Sequence, residues 1–243
     1  MVQVFWKEIN AFYSSLIGYF VTGIFLVILG LIIWVFPDYS LLYFNYATLD
    51  QLFVIAPVVF MFLIPAITMR SFSEEFQNGT IEFLMTKPLT EWQIVTGKFL
   101  ANWMLVIISL IPTLLYYYTV YELGSPKGNL DSGAIMGSYI GLIFLAGSFV
   151  SIGVFASSLN KNQIVAFLLA ALMCMTFHWG FTLLSKMPVF FGYWDDIILN
   201  FGIDWHYTSI SRGVLDSRDI LYFISIMIIF NSLSIISLKS KKW

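Results

Sequence analysis

The chain has 243 residues, of which 59% are hydrophobic, 19% aromatic and 11% charged. Soluble domains have about 25% charged residues, so this composition argues against a soluble globular protein. The net charge of −2 gives no indication of nucleic-acid binding, and the single cysteine, Cys174, excludes a disulfide within the chain.

Six long apolar segments account for this composition. Each has the roughly 18–25 residues that cross a hydrocarbon core about 30 Å thick, and none has a Lys, Arg, Asp or Glu in its interior. We therefore expect an all-α membrane protein with six transmembrane helices in a single domain, residues 1–243. In chain order the segments are Leu16–Phe36, Leu52–Met69, Leu100–Val120, Ala134–Ser157, Gln163–Leu184 and Ile220–Leu238.

Residues 1–13 have the pattern of an amphipathic helix rather than of a signal peptide. Val2, Phe5, Ile9, Phe12 and Leu16 recur every three or four residues and share one face of a helix. No small-x-small cleavage site follows the first apolar segment. We expect an interfacial helix at the membrane surface, with a simple extension of the first span as the alternative.

The basic residues are distributed unequally over the connecting segments. Eight of the twelve fall on the inner side if the N-terminus is cytoplasmic, so the positive-inside rule favours both termini in the cytoplasm. The inner set is Lys7, Arg70, Lys87, Lys98, Lys161, Lys239, Lys241 and Lys242, and the outer set is Lys127, Lys186, Arg212 and Arg218.

The inner segment 70–98 contains helix start and stop signals. Ser71–Glu74 and Thr90–Gln93 each fit a capping box, and Gly79 is a typical left-handed residue at a helix end. These signals predict helices over residues 72–78 and 81–86, the second capped by Thr80, and a third helix from residue 91 into the next span. Apolar side chains here either pack on the protein's own helices or bind a partner.

The outer segment 185–219 is too apolar for a hydrated loop and too interrupted to cross the membrane. We expect short interfacial helices in it. His206 within it is interpreted as interfacial, and Asp195–Asp196 as solvated acids. His178, in the fifth span, has no carboxylate nearby in sequence and is interpreted as a packing residue.

Two further patterns concern helix packing. Gly133, Gly137 and Gly141 form a small-x-x-x-small pattern, which favours close helix contacts within the chain and secondly a dimer interface. Pro57, Pro65 and Pro112 predict kinks in the second and third spans. These features also occur in membrane bundles that transport nothing.

Two segments carry a resemblance to a known family. Residues 74–98 contain acidic residues, a Gly-Thr pair, an apolar helix, a Pro and a Gly-Lys that begins the third span, and residues 212–222 read Arg-Gly-Val-Leu-Asp-Ser-Arg-Asp-Ile-Leu-Tyr. Together with six spans and an apolar last outer loop, the chain resembles ABC transporter permeases of the type-2 export class. Within that class it is most similar to the permease associated with gliding motility in Bacteroidota.

The resemblance implies a membrane subunit that works with a separate ATPase dimer in the bacterial cytoplasmic (inner) membrane. It implies an ATPase-coupling site and an outer-loop motif. The coupling site comprises Glu74, Glu75, Phe76, Gly79, Thr80, Glu82, Phe83, Leu84 and Met85, and the outer-loop motif comprises Arg212, Gly213, Asp216, Arg218 and Asp219.

The chain itself has no G-x-x-x-x-G-K-[ST] motif, since Gly97-Lys98 is followed by Phe99. No cofactor is therefore expected on this chain, and ATP and Mg²⁺ are expected on the partner. Further expected partners are the lipid bilayer and either a second copy, another permease or a membrane subunit with a periplasmic domain. An intramembrane enzyme and a secondary transporter are disfavoured, because no span contains an acid.

Alternatives remain within this class. ATP-driven movement of the bundle could act mechanically, or as a scaffold, on a periplasmic partner. Related permeases also serve lipid or drug export and copper or nitrous-oxide maturation systems.

Overall fold

A computed structural model describes residues 1–41, 47–190, 192 and 194–241 of the chain. Lys242, counted above among the basic residues, lies outside the described residues, and so does the side chain of Met85. All regular structure within the described part is helical, which confirms the predicted all-α class.

Thirteen α-helices form the described part. In chain order they are α1 (Val2–Ser14), α2 (Leu16–Trp34), α3 (Asp50–Thr68), α4 (Arg70–Gln77), α5 (Ile81–Met85), α6 (Glu91–Leu110), α7 (Leu114–Leu123), α8 (Ser132–Leu159), α9 (Gln163–Met175), α10 (Phe181–Ser185), α11 (Asp195–Leu199), α12 (Ile203–Ile210) and α13 (Ser217–Ser240).

Five helical segments in this described part are long and apolar enough to cross a membrane. A sixth is obtained if α1 and α2, which are bent by 73°, count as one broken span. The predicted number of six spans is therefore reached only with this bent pair. The five segments are Asp50–Gln77, Glu91–Leu123, Ser132–Leu159, Gln163–Ser185 and Ser217–Ser240.

Two of these segments contain irregular turns. A 3-10 turn over Ile111–Thr113 separates α6 from α7, as expected because Pro112 lacks the amide hydrogen that would continue the helix. A π-turn over Thr176–Gly180 joins α9 to α10, and no sequence signal predicted it. Pro57 and Pro65 lie inside α3, which continues through them.

The central helix of the bundle is α8, which packs against α3, α6, α9 and α13. Its glycines allow close approach. A Cβ added to Gly141 would lie 2.7 Å from Cγ2 of Ile210, and one added to Gly137 would lie 3.0 Å from Cα of Gly213. These two glycines therefore serve packing within the chain, the first of the two predicted uses.

Helix α1 packs against α6, and only part of its predicted apolar stripe is buried. Val4 and Ile9 are buried, whereas Val2 and Leu16 are exposed. A Cβ added to Gly97 of α6 would lie 3.1 Å from Cβ of Val4. The predicted stripe was partly wrong because it included only apolar residues, while the buried face of α1 also carries a charged side chain, described below.

The bundle has two ends with different chemistry. We call the end that contains Lys98, Glu75 and Lys241 the Lys98 end, and the end that contains His206 and Asp219 the His206 end. Lys7 bonds to Glu75, and Lys241 lies 4.2 Å from the centre of the Phe76 ring. Residues near both ends of the sequence therefore meet at the Lys98 end.

Candidate functional site

A buried ion cluster joins α1, α4 and α6 at the Lys98 end. The Lys98 side chain is 1% exposed, and its Nζ lies 2.7 Å from Oε1 of Glu8 and 3.1 Å from Oε1 of Glu75. Lys7 Nζ donates to the same Glu75 oxygen at 2.7 Å. We call Lys7, Glu8, Glu75 and Lys98 the Lys98 cluster. Its two cations and two anions balance, as burial of charge requires.

Neighbouring groups complete the cluster. Lys98 Nζ also donates to the carbonyl oxygen of Ser71 and lies 5.0 Å from the centre of the Phe72 ring. Asn102 Nδ2 donates at 2.8 Å to both Ser71 Oγ and the Lys98 carbonyl oxygen. These bonds fix α4 against α6.

Ser71 was predicted to begin a helix with Glu74, and this prediction was wrong. Ser71 lies within α4, which continues from α3 almost without interruption, and its hydroxyl accepts from Asn102. The second capping box is confirmed. Thr90 Oγ1 accepts from Gln93 N, and the Gln93 side chain accepts from Thr90 N.

Charge also affects the exposed member of the cluster. Partial burial lowers the pKa of Lys7, but the hydrogen bond and charge of Glu75, with the charges of Glu8 and Glu74, outweigh it and raise the pKa above its ordinary value. Lys7 therefore stays charged over the whole physiological range.

The predicted helix break after α4 is present. Gly79 has φ +68°, a left-handed conformation that glycine adopts at little cost. Thr80 precedes α5 in the capping position, but its hydroxyl points back to the Glu75 carbonyl oxygen at 3.5 Å and does not cap α5. The break separates α5 from α4.

The sequence-predicted coupling residues divide between two faces. Glu75, Phe76 and Leu84 are buried in the protein's own structure. Glu82 is exposed, and Phe83 is 75% exposed. Internal packing, one of the two uses that the sequence left open, is therefore confirmed for Phe76 and Leu84, and partner binding stays a prediction.

Phe76 is buried by the last helix. Lys241 Nζ packs over the Phe76 ring and donates at 2.7 Å and 3.1 Å to the carbonyl oxygens of Ser158 and Leu159, which end α8. Phe76 therefore connects α4 to α8 and α13. We call the remaining accessible group, Gly79, Thr80, Glu82 and Phe83, the α5 surface.

The outer-loop motif lies at the His206 end, and its glycine has a packing role. Gly213 has φ +84°, and a Cβ there would collide with Ala134 of α8. Ser138 Oγ of α8 donates at 2.8 Å to the carbonyl oxygen of Ser211. The turn before α13 is thereby held tightly on α8.

Two acids of the motif have structural partners. Asp216 Oδ1 accepts from Arg218 N at 2.9 Å and caps α13. Asp219 is buried, and its Oδ1 lies 2.7 Å from Nδ1 of His206. The His206 ring also stacks on Tyr222 with centroids 3.8 Å apart. The interpretation of His206 as merely interfacial was wrong, because Asp219 is 13 residues away and the pairing depends on how α12 and α13 pack.

His178 also has a carboxylate that its sequence neighbourhood did not reveal. Its Nε2 lies 3.6 Å from Oδ1 of Asp204 of α12. Burial raises the pKa of the Asp204 carboxyl above its ordinary value, against opposing contributions from Thr182 and Lys186. Short helix α12 thus has acid–imidazole contacts with two neighbours, the π-turn and α13.

Gly97 and Lys98 lie within α6, where Lys98 is engaged by Glu8 and Glu75. Within the residues that the structure describes, no group of three or more His, Cys, Asp or Glu side chains could hold a metal ion.

Sequence reasoning missed Lys7, Glu8 and Lys98 as site residues. A signal was present, since Lys98 stands directly before an apolar segment and Lys7 and Glu8 interrupt an amphipathic helix. The pairing could not be found because Glu8 and Lys98 are 90 residues apart.

The fold defines a multi-pass helical membrane protein with a broken helical loop at one bundle end. The family model of the ABC-2 family transporter protein matches residues 2–189, which is most of the chain. The chain therefore belongs to the ABC-2 transporter family and is a membrane permease of an ABC transporter. Members of this family are membrane subunits that work with an ABC ATPase. No curated protein sequence matches this chain closely.

Proposed function

We propose that this chain couples ATP hydrolysis on a separate ATPase dimer to export, or to mechanical work, across the bacterial inner membrane. In this proposal the Lys98 end is cytoplasmic and the α5 surface is the docking site of the ATPase. The proposed link to gliding motility rests on the resemblance of the two sequence segments described above.

One observation carries the proposal. Phe83 is 75% exposed on α5, while the same loop is fixed to α1 and α6 through the Lys98 cluster. An aromatic side chain presented on a firmly attached loop suits a helix-in-groove contact. Movement of a partner bound at Phe83 would therefore be transmitted to the helix bundle, because the loop is attached to it.

The test compares two matched substitutions, Phe83→Asp and Phe36→Asp. Phe36 is also exposed, at 54%, but follows α2 at the opposite end of the bundle. A buried aromatic anchor contributes on the order of 2 kcal/mol to an interface, or roughly a thirtyfold loss of affinity. We expect Phe83→Asp alone to lose copurification with the ABC ATPase of the same bacterium.

The control measurements are membrane insertion and expression, which both variants should retain because both side chains are exposed. A well-expressed Phe83→Asp protein that still copurifies with the ATPase at the wild-type ratio would place the docking surface elsewhere.

A further inference from the structure

A cleft of about 460 Å³ opens at the His206 end between α12 and the start of α13. Arg212 and Arg218 of the outer-loop motif both line it, together with Thr208 and Trp205. Both arginines are exposed, and within the described residues neither guanidinium group has an ion-pair or hydrogen-bond partner. The described structure gives these two side chains no structural role.

The backbone that carries the arginines is nevertheless fixed. Ser138 Oγ donates a hydrogen bond to the carbonyl oxygen of Ser211, and Gly213 N donates at 2.8 Å to the Ile210 carbonyl oxygen. Arg218 lies in the first turn of α13, where its own amide is capped by Asp216. The backbone that carries the two guanidinium groups beside the cleft is therefore well anchored.

Arg218 stands at the positive end of the α13 dipole, which the Asp216 side chain also caps. The first turn of a helix is the positive end of its dipole, where a cation is repelled and an anion is attracted. Helix α13 is 24 residues long, so this field is fully developed. An anion in the cleft would be attracted by both arginines and by the helix end.

The acids beside the cleft do not cancel this charge. His206 Nδ1 faces Asp219, and its Nε2 lies 2.9 Å from the Asn200 carbonyl oxygen, which can only accept. Both contacts are satisfied only if a proton lies between His206 and Asp219, which makes that pair electrically neutral. Arg212 and Arg218 then face the single charge of Asp216, and the cleft is net positive.

We propose that this cleft binds the phosphate group of an anionic ligand. Guanidinium groups match phosphate oxygens with paired hydrogen bonds, and the Thr208 hydroxyl supplies a further donor. The ring of Trp205, half exposed beside the cleft, suits the headgroup region of a bilayer. The phosphate belongs either to a phospholipid headgroup or to a water-soluble compound, and the binding chemistry is the same.

The test uses the full chain, purified in detergent and freed of lipid. Binding of inorganic phosphate, of short-chain phosphatidylglycerol and of the corresponding phosphate-free diacylglycerol is measured by calorimetry and by native mass spectrometry. The variant is Arg212→Gln/Arg218→Gln. The matched control is Lys127→Gln/Lys186→Gln, which removes the same charge from the same end but outside the cleft.

We expect wild type and the lysine control to bind a phosphate-bearing probe and the arginine variant to bind it at least about tenfold more weakly, since charge-assisted bonds are the strong ones. Tight binding of inorganic phosphate identifies a soluble ligand, and binding of phosphatidylglycerol alone identifies a lipid. The arginine side chains have no partners, so the variant should stay monodisperse, and Arg212→Lys/Arg218→Lys should bind with intermediate strength.

Equal binding by wild type and the arginine variant, equal binding of diacylglycerol, or no binding of either phosphate probe would overturn the proposal. None of these results depends on the ATPase. The proposed docking site at the Lys98 end is tested separately, by the Phe83→Asp experiment.

Discussion

Lys98 is a charged side chain in a position where charge is costly, because it is 1% exposed within helix α6. It is tolerated because Glu8 and Glu75 neutralise it and the Ser71 carbonyl accepts one of its hydrogens. The sequence predicted a coupling role for Glu75 but not the partner that buries it. At the residue scale, local patterns missed the contacts between distant segments.

Replacement of Lys98 by Met should therefore destabilise the protein strongly. The variant leaves Glu8 and Glu75 with Lys7 as their only cation, and removal of one partner of a buried pair costs about 3–5 kcal/mol. The measurement is thermal unfolding of the protein purified in detergent. We expect a clearly lower Tm.

The control for this prediction is Lys127→Met. Lys127 also forms an ion pair, with Glu122, but its side chain is 70% exposed, and exposed pairs contribute about 0–1 kcal/mol. An unchanged Tm in Lys98→Met, or an equal loss in both variants, would contradict the structural role of the Lys98 cluster.

At the scale of elements, the predictions succeeded where the signal is local. The capping box at Thr90 and the break at Gly79 involve neighbouring residues, and both are present. The helix start at Ser71 failed because α3 and α4 run on and Asn102 uses the hydroxyl. The π-turn and the two imidazole–acid contacts of α12 depend on packing and had no sequence signal.

Gly213→Ala tests the tight contact between the outer-loop turn and α8. An alanine at φ +84° is strained by about 1–2 kcal/mol, and its Cβ would also collide with Ala134. We expect a lower Tm for the purified protein.

Gly23→Ala is the matched control, for which we expect the Tm to rise rather than fall. Gly23 is within α2, and a Cβ there has nothing within 4 Å, so alanine should stabilise the helix by roughly 0.5–1 kcal/mol. A Tm that falls equally in both variants would show that the Gly213 contact is not what holds the turn.

At the scale of the whole molecule, composition and segment length identified a multi-pass helical membrane protein, because crossing a bilayer constrains length and polarity strongly. The number of spans was harder to predict. Five helical segments of the described part qualify alone, and the sixth depends on the 73° bend between α1 and α2. The side of the membrane on which each end of the bundle lies is a prediction from the distribution of basic residues.

Cysteine labelling tests this orientation. In a Cys174→Ala background, single cysteines at Lys127 and Asp196 should react with an impermeant reagent added outside, because both positions are exposed in the outer segments. Cysteines at Gln77 and Ser240, exposed at the Lys98 end, should react only after the membrane is opened. Labelling of all four positions from one side of intact cells would refute the six-span arrangement.

The position of the Lys98 cluster along α1 has a mechanical consequence. Glu8 is the middle residue of this 13-residue helix, so about 9 Å of helix extends on each side of it. The Lys98 cluster therefore holds α1 at its midpoint. In the first half of α1, Val4 packs on Gly97 of α6. The second half leads into the bend before α2. A displacement of α4 would act on α1 at its midpoint through Glu75 and would carry both halves of α1 in the same direction, so α2 would be moved through α1 as well as through α3.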